Sequence, residues 1–256
     1  MNGLASPILS VRNLSVRFGA LVAVDDVSFD AAAGCVTSVI GPNGAGKSTL
    51  FNLISGALAP TAGSMHFAGR DVSGKSPPAM LAAGLSRSFQ ITNLFFDLTV
   101  FENLRLAAQF LEPGARVLQP VGRSERARAR VSHLIERFSL DTKAGELAGH
   151  LSHGEQRRLE IAVALASEPK MLLLDEPTQG MSHADTRETA DLIRSLVGDV
   201  SILLIEHDVD LVMDLSDHVI VMAQGRKIAE GTAREVRGNR AVQVAYFGEA
   251  RGADAT

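Results

Sequence analysis

Polar and apolar positions alternate through the first thirty residues, in Ile8-Leu-Ser-Val-Arg-Asn-Leu-Ser-Val-Arg-Phe18 and again in Leu21-Val-Ala-Val-Asp-Asp-Val-Ser-Phe29. A period of two suits half-buried antiparallel strands. The pattern then changes. Cys35-Val-Thr-Ser-Val-Ile40 reads as a buried strand, and Leu50-Phe-Asn-Leu-Ile54 as the apolar part of a helix that Gly56 can close. Residues 57–75 are rich in Gly, Pro and small side chains, with Ser64-Met-His-Phe67 as a short strand in a hairpin. From about Pro77 to Ser167 the character is helical. Val100 to Phe110 and Ala127 to Phe138 are both amphipathic, with a break at Glu112-Pro-Gly114. Strands return as Met171-Leu-Leu-Leu174, Ser201-Ile-Leu-Leu-Ile205 and His218-Val-Ile-Val-Met222. Short apolar runs between helices predict a core of mostly parallel strands covered on both faces. Gln224-Gly225 can turn the last of them into a hairpin with Lys227-Ile-Ala229, and the tail from Arg251 to Thr256 is expected to fray. No internal repeat or low-complexity segment interrupts this order.

Composition narrows the picture modestly. A chain of 256 residues with 46% hydrophobic and 21% charged residues is an ordinary globular protein, long enough for a large core plus a subdomain. The net charge of −4 gives no sign of general nucleic-acid binding. The most basic run, Arg123-Ser-Glu-Arg-Ala-Arg-Ala-Arg130, reads as a solvated helix face rather than a nucleic-acid contact. Cys35 is the single cysteine, which rules out an internal disulfide and predicts a buried, inert thiol. No basic segment followed by an apolar run marks a signal peptide at the N-terminus, and no apolar stretch approaches the roughly 20 residues of a spanning helix. The expected location is cytoplasmic, with any membrane role supplied through a partner.

The chemistry is concentrated at Gly41, Pro42, Asn43, Gly44, Ala45, Gly46, Lys47, Ser48 and Thr49, an ungapped G-x-x-x-x-G-K-[ST] between a predicted strand and a predicted helix. Glycines let backbone N–H groups turn inward around phosphate oxygens, and the helix N-terminus adds partial positive charge. Lys47 can reach β- and γ-phosphates, and Ser48 can ligand Mg²⁺. Downstream, Met171-Leu-Leu-Leu-Asp-Glu-Pro177 is an apolar strand ending in two carboxylates. In isolation such a pair reads equally as a solvated turn. Beside a phosphate loop, Asp175 is the candidate to hold Mg²⁺ and Glu176 the candidate to polarise an attacking water. Ser152 and Glu155 form S-x-x-E, a capping box opening a helix to about Ser167.

These motifs, spread over nearly the whole chain, resemble the nucleotide-binding subunit of an ATP-binding cassette transporter. The resemblance implies an α/β fold: a P-loop NTPase core with a mostly parallel sheet, an N-terminal antiparallel β subdomain and an inserted α-helical subdomain. Residues 1–256 would form one nucleotide-binding domain, with the ATP-binding core and β subdomain at about 1–87 and 168–250, the helical subdomain at 88–167, and a tail at 251–256. It further implies that Phe18 stacks on adenine, the alternative being a core phenylalanine. Gln90, in Ser88-Phe-Gln90, would touch Mg²⁺ or water and relay to a membrane partner. Leu151-Ser-His-Gly-Glu-Gln-Arg-Arg-Leu159 matches the family's signature, with His153 in place of a Gly and Glu155 in place of a Gln. Ser152 and Gly154 would then face the γ-phosphate held by a second subunit. His207, after Ile205-Glu206, would contact the γ-phosphate and the attacking water. In the loop Gly180-Met-Ser-His-Ala-Asp185, Ser182 replaces the usual acidic residue of the dimer contact.

The implied activity is hydrolysis of MgATP to ADP and phosphate, with ATP clamping two such domains together and hydrolysis releasing them. Lys47, Glu176, His207 and Gln90 are the catalytic candidates; Ser48, Gln90 and Asp175 are the metal candidates. Phe95, Phe96 and Leu98 read equally as a docking surface or as subdomain core. Leu94 to Leu104, Gln156 to Ala162, Leu204 to Asp208 and Ala245-Tyr-Phe-Gly-Glu249 are similar to the branched-chain amino acid branch, which includes urea and amide importers. That branch implies a second cassette subunit (a homodimer or, as the branch favours, a heterodimer), membrane permease subunits, indirectly a periplasmic solute-binding protein, and no nucleic acid. The chain would sit on the inner face of the cell membrane. A lipopolysaccharide-export ATPase and a soluble cassette ATPase of the iron–sulfur assembly type are the alternatives.

Overall fold

A computed structural model describes residues 7–88, 94–111 and 124–247. The chain opens with β1 (Pro7–Phe18) and β2 (Leu21–Ala32), paired antiparallel. Along β1, Leu9, Val11, Leu14 and Val16 are buried, so the alternation loses phase at Asn13. Asn13 has φ 50°, and the register with β2 shifts between Val11 and Leu14. One extra residue in a strand restores the apolar face to the core in this way.

The phosphate-loop unit follows as β3 (Val36–Ile40) and α1 (Lys47–Ile54). Then come β4 (Ala62–Phe67), β5 (Arg70–Asp71), α2 (Pro77–Ala83) and β6 (Leu85–Ser88). The helical part holds α3 (Val100–Ala108), α4 (Glu125–Arg137) and α5 (His153–Leu165). The chain returns through β7 (Met171–Asp175), α6 (His183–Leu196), β8 (Ser201–Ile205), α7 (Val209–Leu215) and β9 (His218–Ala223). It continues with β10 (Arg226–Gly231), α8 (Ala233–Arg237) and α9 (Arg240–Phe247).

Two sheets result. One has the order β2-β1-β4-β5; the other has the order β10-β9-β3-β8-β7-β6. In the second, β9, β3, β8, β7 and β6 run parallel, and only β10 is antiparallel. Both faces are covered, which explains the unbroken apolar runs. Leu172, Leu174, Ile202 and Leu204 join the core under the helical part, while Met171, Leu173, Leu203 and Ile205 join the core shared with the first sheet. Strand alternation alone divides them. On α4, Ala127, Val131, Leu134 and Ile135 are buried, one helical face at spacings of three to four. Of the described arginines in the basic run, Arg126 and Arg128 lie on an exposed face, where Arg126 pairs with Glu168 at 2.8 Å, while Arg130 reaches inward and donates to the Leu165 carbonyl at 2.6 Å.

β6 departs from the sequence expectation of helical character from about Pro77 to Ser167. Leu-Ser-Arg-Ser carries almost no apolar signal, and only its parallel pairing with β7 makes it a strand. Cys35 is half-buried rather than buried, and burial and then Asp217 push its thiol pKa up. The Glu112-Pro-Gly114 break and the tail from Arg251 lie outside the described residues.

Capping boxes open α3 (Thr99, Glu102), α5 (Ser152, Glu155) and α8 (Thr232, Glu235). Thr99→Ala should lower stability by about 1 kcal/mol in urea titration, since Thr99 Oγ1 satisfies the Glu102 N–H at 3.1 Å. The Thr99 N–H and then its hydroxyl hold the Glu102 pKa below its ordinary value. A depressed carboxylate stabilises the fold above its unfolded pKa and loses that contribution as pH falls through the folded value. The difference between wild type and Thr99→Ala should therefore shrink in acid.

Candidate active site

The turn from β3 into α1 is shaped by close backbone approach. A Cβ on Gly41 would lie 2.2 Å from the Met222 carbonyl oxygen, and one on Gly46 (φ +96°) would lie 2.6 Å from that of Ala23. No other residue type fits at either position without displacing backbone. The loop is also tied to the β9–β10 hairpin, where Gly225 N–H donates to Ala45 O at 3.0 Å. Gly46 caps α1 without any side-chain bond, so the N–H groups of its first turn are left for an anion. Lys47 is 8% exposed and donates through Nζ to the loop's own carbonyls, Gly41 at 2.7 Å and Pro42 at 3.2 Å. Burial lowers its pKa, and the Glu176 and Asp175 carboxylates pull it back up. Both carboxylates lie at the C-terminal end of β7, and the phosphate loop follows that of β3, so parallel strands bring them to one end of the same sheet.

Asp175 ends β7 with its side chain 2% exposed, and Arg87 Nη2 donates to Oδ2 at 2.9 Å. The same guanidinium reaches Asn52 Oδ1 at 2.7 Å and Ser55 Oγ at 3.0 Å and lies 5.9 Å from the Phe51 ring centroid. Arg87 therefore binds α1 to the end of β7. Removing one partner of a buried pair leaves an uncompensated charge. Arg87→Met should cost roughly 3 kcal/mol in the nucleotide-free protein. An unchanged urea midpoint would show that Asp175 does not depend on it.

Glu176 has φ +45°, a conformation unfavourable for a non-glycine residue and one that clusters at functional positions. Its N–H donates to Ile205 O at 2.9 Å, which joins the ends of β7 and β8. His207 follows β8 with its side chain 59% exposed. The hard oxygen donors suit Mg²⁺: exposed Ser48 follows Lys47 on α1, and buried Asp175 ends β7 in the same sheet as β3. No group of three or more His, Cys, Asp or Glu side chains among the described residues could hold a metal. Mg²⁺ is usually held by one or two protein oxygens plus phosphates and water, which fits.

The remaining candidates are spread over the molecule. Phe18 ends β1 half exposed, which excludes the core reading. Ser152 and Gly154 start α5. Among the described residues no hydrogen bond or ion pair joins them to the phosphate loop or Asp175. Ser152 is exposed, and its N–H and hydroxyl are both held by Glu155 Oε2, at 2.8 and 2.9 Å. Ser182 caps α6, with its hydroxyl on Asp185 Oδ2 at 2.7 Å. Phe95 and Phe96 are 60% and 45% exposed, so they are not core. Gln90 lies outside the described residues.

Three charged residues at the site were missed from the sequence. Arg87 holds Asp175. Arg157 on α5 donates to the carbonyls of Pro177 (3.0 Å) and Asp175 (3.4 Å), on either side of Glu176. Glu206 is fully buried beside His207. The available signal was a charge directly after an apolar strand, at Glu206; Arg87 and Arg157 carried none.

Comparison with known proteins agrees with this geometry. The "ABC transporter" family model matches residues 24–179, and the "Branched-chain amino acid ATP-binding cassette transporter" model matches residues 226–251. The chain is 40% identical to the high-affinity branched-chain amino acid transport ATP-binding protein BraF of Pseudomonas aeruginosa, over 96% of this chain and 100% of that protein. It is 39% identical to LivG of Escherichia coli with the same coverage. Among solved structures, an ATP-binding cassette of an ABC transporter in its ADP conformation superposes with a TM-score of 0.84 at 32% identity, covering 96% of this chain and 100% of the other. A nucleotide-free cassette superposes with a TM-score of 0.82 at 32% identity, covering 95% and 100%.

Proposed function

The chain belongs to the ATP-binding cassette transporter family, and from that premise we propose that it is the ATP-hydrolysing subunit of an importer for branched-chain amino acids or related small polar solutes. The observation that carries the reading is the convergence of Lys47, Asp175 and Glu176 at one end of a parallel sheet, in a chain that matches transport ATPases over nearly its full length. The match of residues 226–251 to the branched-chain model favours that branch over the lipopolysaccharide-export and soluble alternatives.

In this reading Phe18 offers an exposed ring for adenine. The loop amides from Gly41 to Thr49 and the bare N-terminus of α1 surround the phosphates, and Lys47 leaves the carbonyls of Gly41 and Pro42 to reach them. Ser48 and Asp175, with Gln90, would hold Mg²⁺. When bound, that ion neutralises charge on the β- and γ-phosphate oxygens. Glu176 accepts a proton from the attacking water, and His207 orients it from the neighbouring strand end. Catalysis is mostly positioning and charge stabilisation. Ser152 and Gly154 serve a second cassette, a reading that suits the exposure of Ser152. No helix among the described residues is long and apolar enough to cross a membrane, so transport requires permease subunits. The exposed Phe95 and Phe96 are candidates to meet them, and a periplasmic solute-binding protein would deliver the solute.

A pull-down of the tagged chain from its native membranes in mild detergent tests this assembly. Two permease subunits and a related ATPase are the expected partners. Lipopolysaccharide-export components, or soluble partners alone, would overturn the assignment.

A further inference from the structure

Glu206 is 0% exposed, directly after β8. Its Oε1 accepts from the Thr178 N–H at 3.0 Å and from Thr178 Oγ1 at 2.7 Å, and its Oε2 accepts from the His207 N–H at 3.2 Å. His207 Nδ1 lies 3.6 Å from Oε2, too far for a hydrogen bond. Among the described residues no arginine or lysine pairs with this carboxylate. Burying an ionised group among neutral donors is costly, and the apolar residues of β8 before it show what the core alone would select.

The donors come from the two loops that carry Glu176 and His207. Thr178 lies two residues beyond Glu176, and Glu176 itself is tied by its N–H to Ile205 O, next to Glu206. We propose that Glu206 is a positioning residue for hydrolysis: its carboxylate locks the loop after β7 to the loop after β8 and so fixes Glu176 relative to His207. A carboxylate suits this task because it only accepts hydrogen bonds, and three donors converge on its two oxygens. A glutamine of the same shape would turn an NH₂ group toward one of those donors. The clamp follows from the geometry alone; its catalytic consequence rests on the ATPase reading.

The test compares wild type, Glu206→Gln and Thr178→Val as full-length chains, by steady-state MgATP hydrolysis and by hydrogen exchange of the Thr178 and His207 amides. Glu206→Gln should lower kcat roughly 10- to 100-fold, the scale of a small misplacement of catalytic groups, with KM for ATP within about threefold of wild type. Both amides should exchange faster together. An unchanged kcat, a change in KM alone, or unaltered protection of either amide would overturn the proposal. Should Glu206→Gln not fold, Thr178→Val reads the same clamp: a several-fold fall in kcat at constant KM supports it, and wild-type kinetics refute it. A wild-type chain without ATPase activity would count against the ATPase reading instead, and the amide exchange alone would then decide the clamp.

Discussion

Glu176→Gln should bind MgATP normally, lose hydrolysis by about 10²- to 10⁴-fold, and accumulate as an ATP-bound dimer. The substitution preserves shape. It leaves the Glu176 N–H to Ile205 O bond, the phosphate loop and the Arg87–Asp175 pair untouched. It removes only the group able to take a proton from water. Binding energy is then retained while the step that would release the two cassettes is blocked. Gel filtration with and without MgATP, together with phosphate release, reads both halves of the result. Turnover at the wild-type rate would remove Glu176 from its assigned role.

Lys47→Ala should lower kcat/KM by roughly 10²-fold or more, the scale of losing one preorganised donor at a developing charge. Lys47 is the only lysine or arginine of the Gly41–Thr49 loop. It is also buried, with two carboxylates facing it, so its removal changes the local charge as well as a contact. Titration with a fluorescent ATP analogue separates weakened binding from blocked hydrolysis. Wild-type ATPase activity in this variant would overturn the phosphate-loop reading.

Much of this account is legible in the chain because the phosphate loop is local. Nine consecutive residues carry the amides, the cation and the hydroxyl, and the strand before them and helix after them are visible as apolar runs. The same holds for Asp175 and Glu176 at the end of β7 and for the Ser152 capping box on α5. What was hidden depends on distance along the chain. Arg87 meets Asp175 across 88 residues, and Glu206 meets Thr178 across 28. Nothing near Leu-Ser-Arg-Ser reveals that it will pair with β7. Phe18, Phe95 and Phe96 show a different limit. An isolated aromatic reads equally as core or surface, and only packing decides; here all three are exposed. Ser182 illustrates the reverse, since its local role, a cap on α6 with its hydroxyl on the Asp185 carboxylate, is legible from the Ser-x-x-Asp spacing.

The most direct measurement of the central claim is uptake of radiolabelled leucine by cells in which the native gene has been deleted and replaced by wild type or by Glu176→Gln. The account predicts loss of high-affinity uptake on deletion, recovery with wild type, and no recovery with Glu176→Gln even though that protein is present at the membrane. Uptake of leucine, isoleucine and valine that continues undiminished in the deletion strain would contradict it.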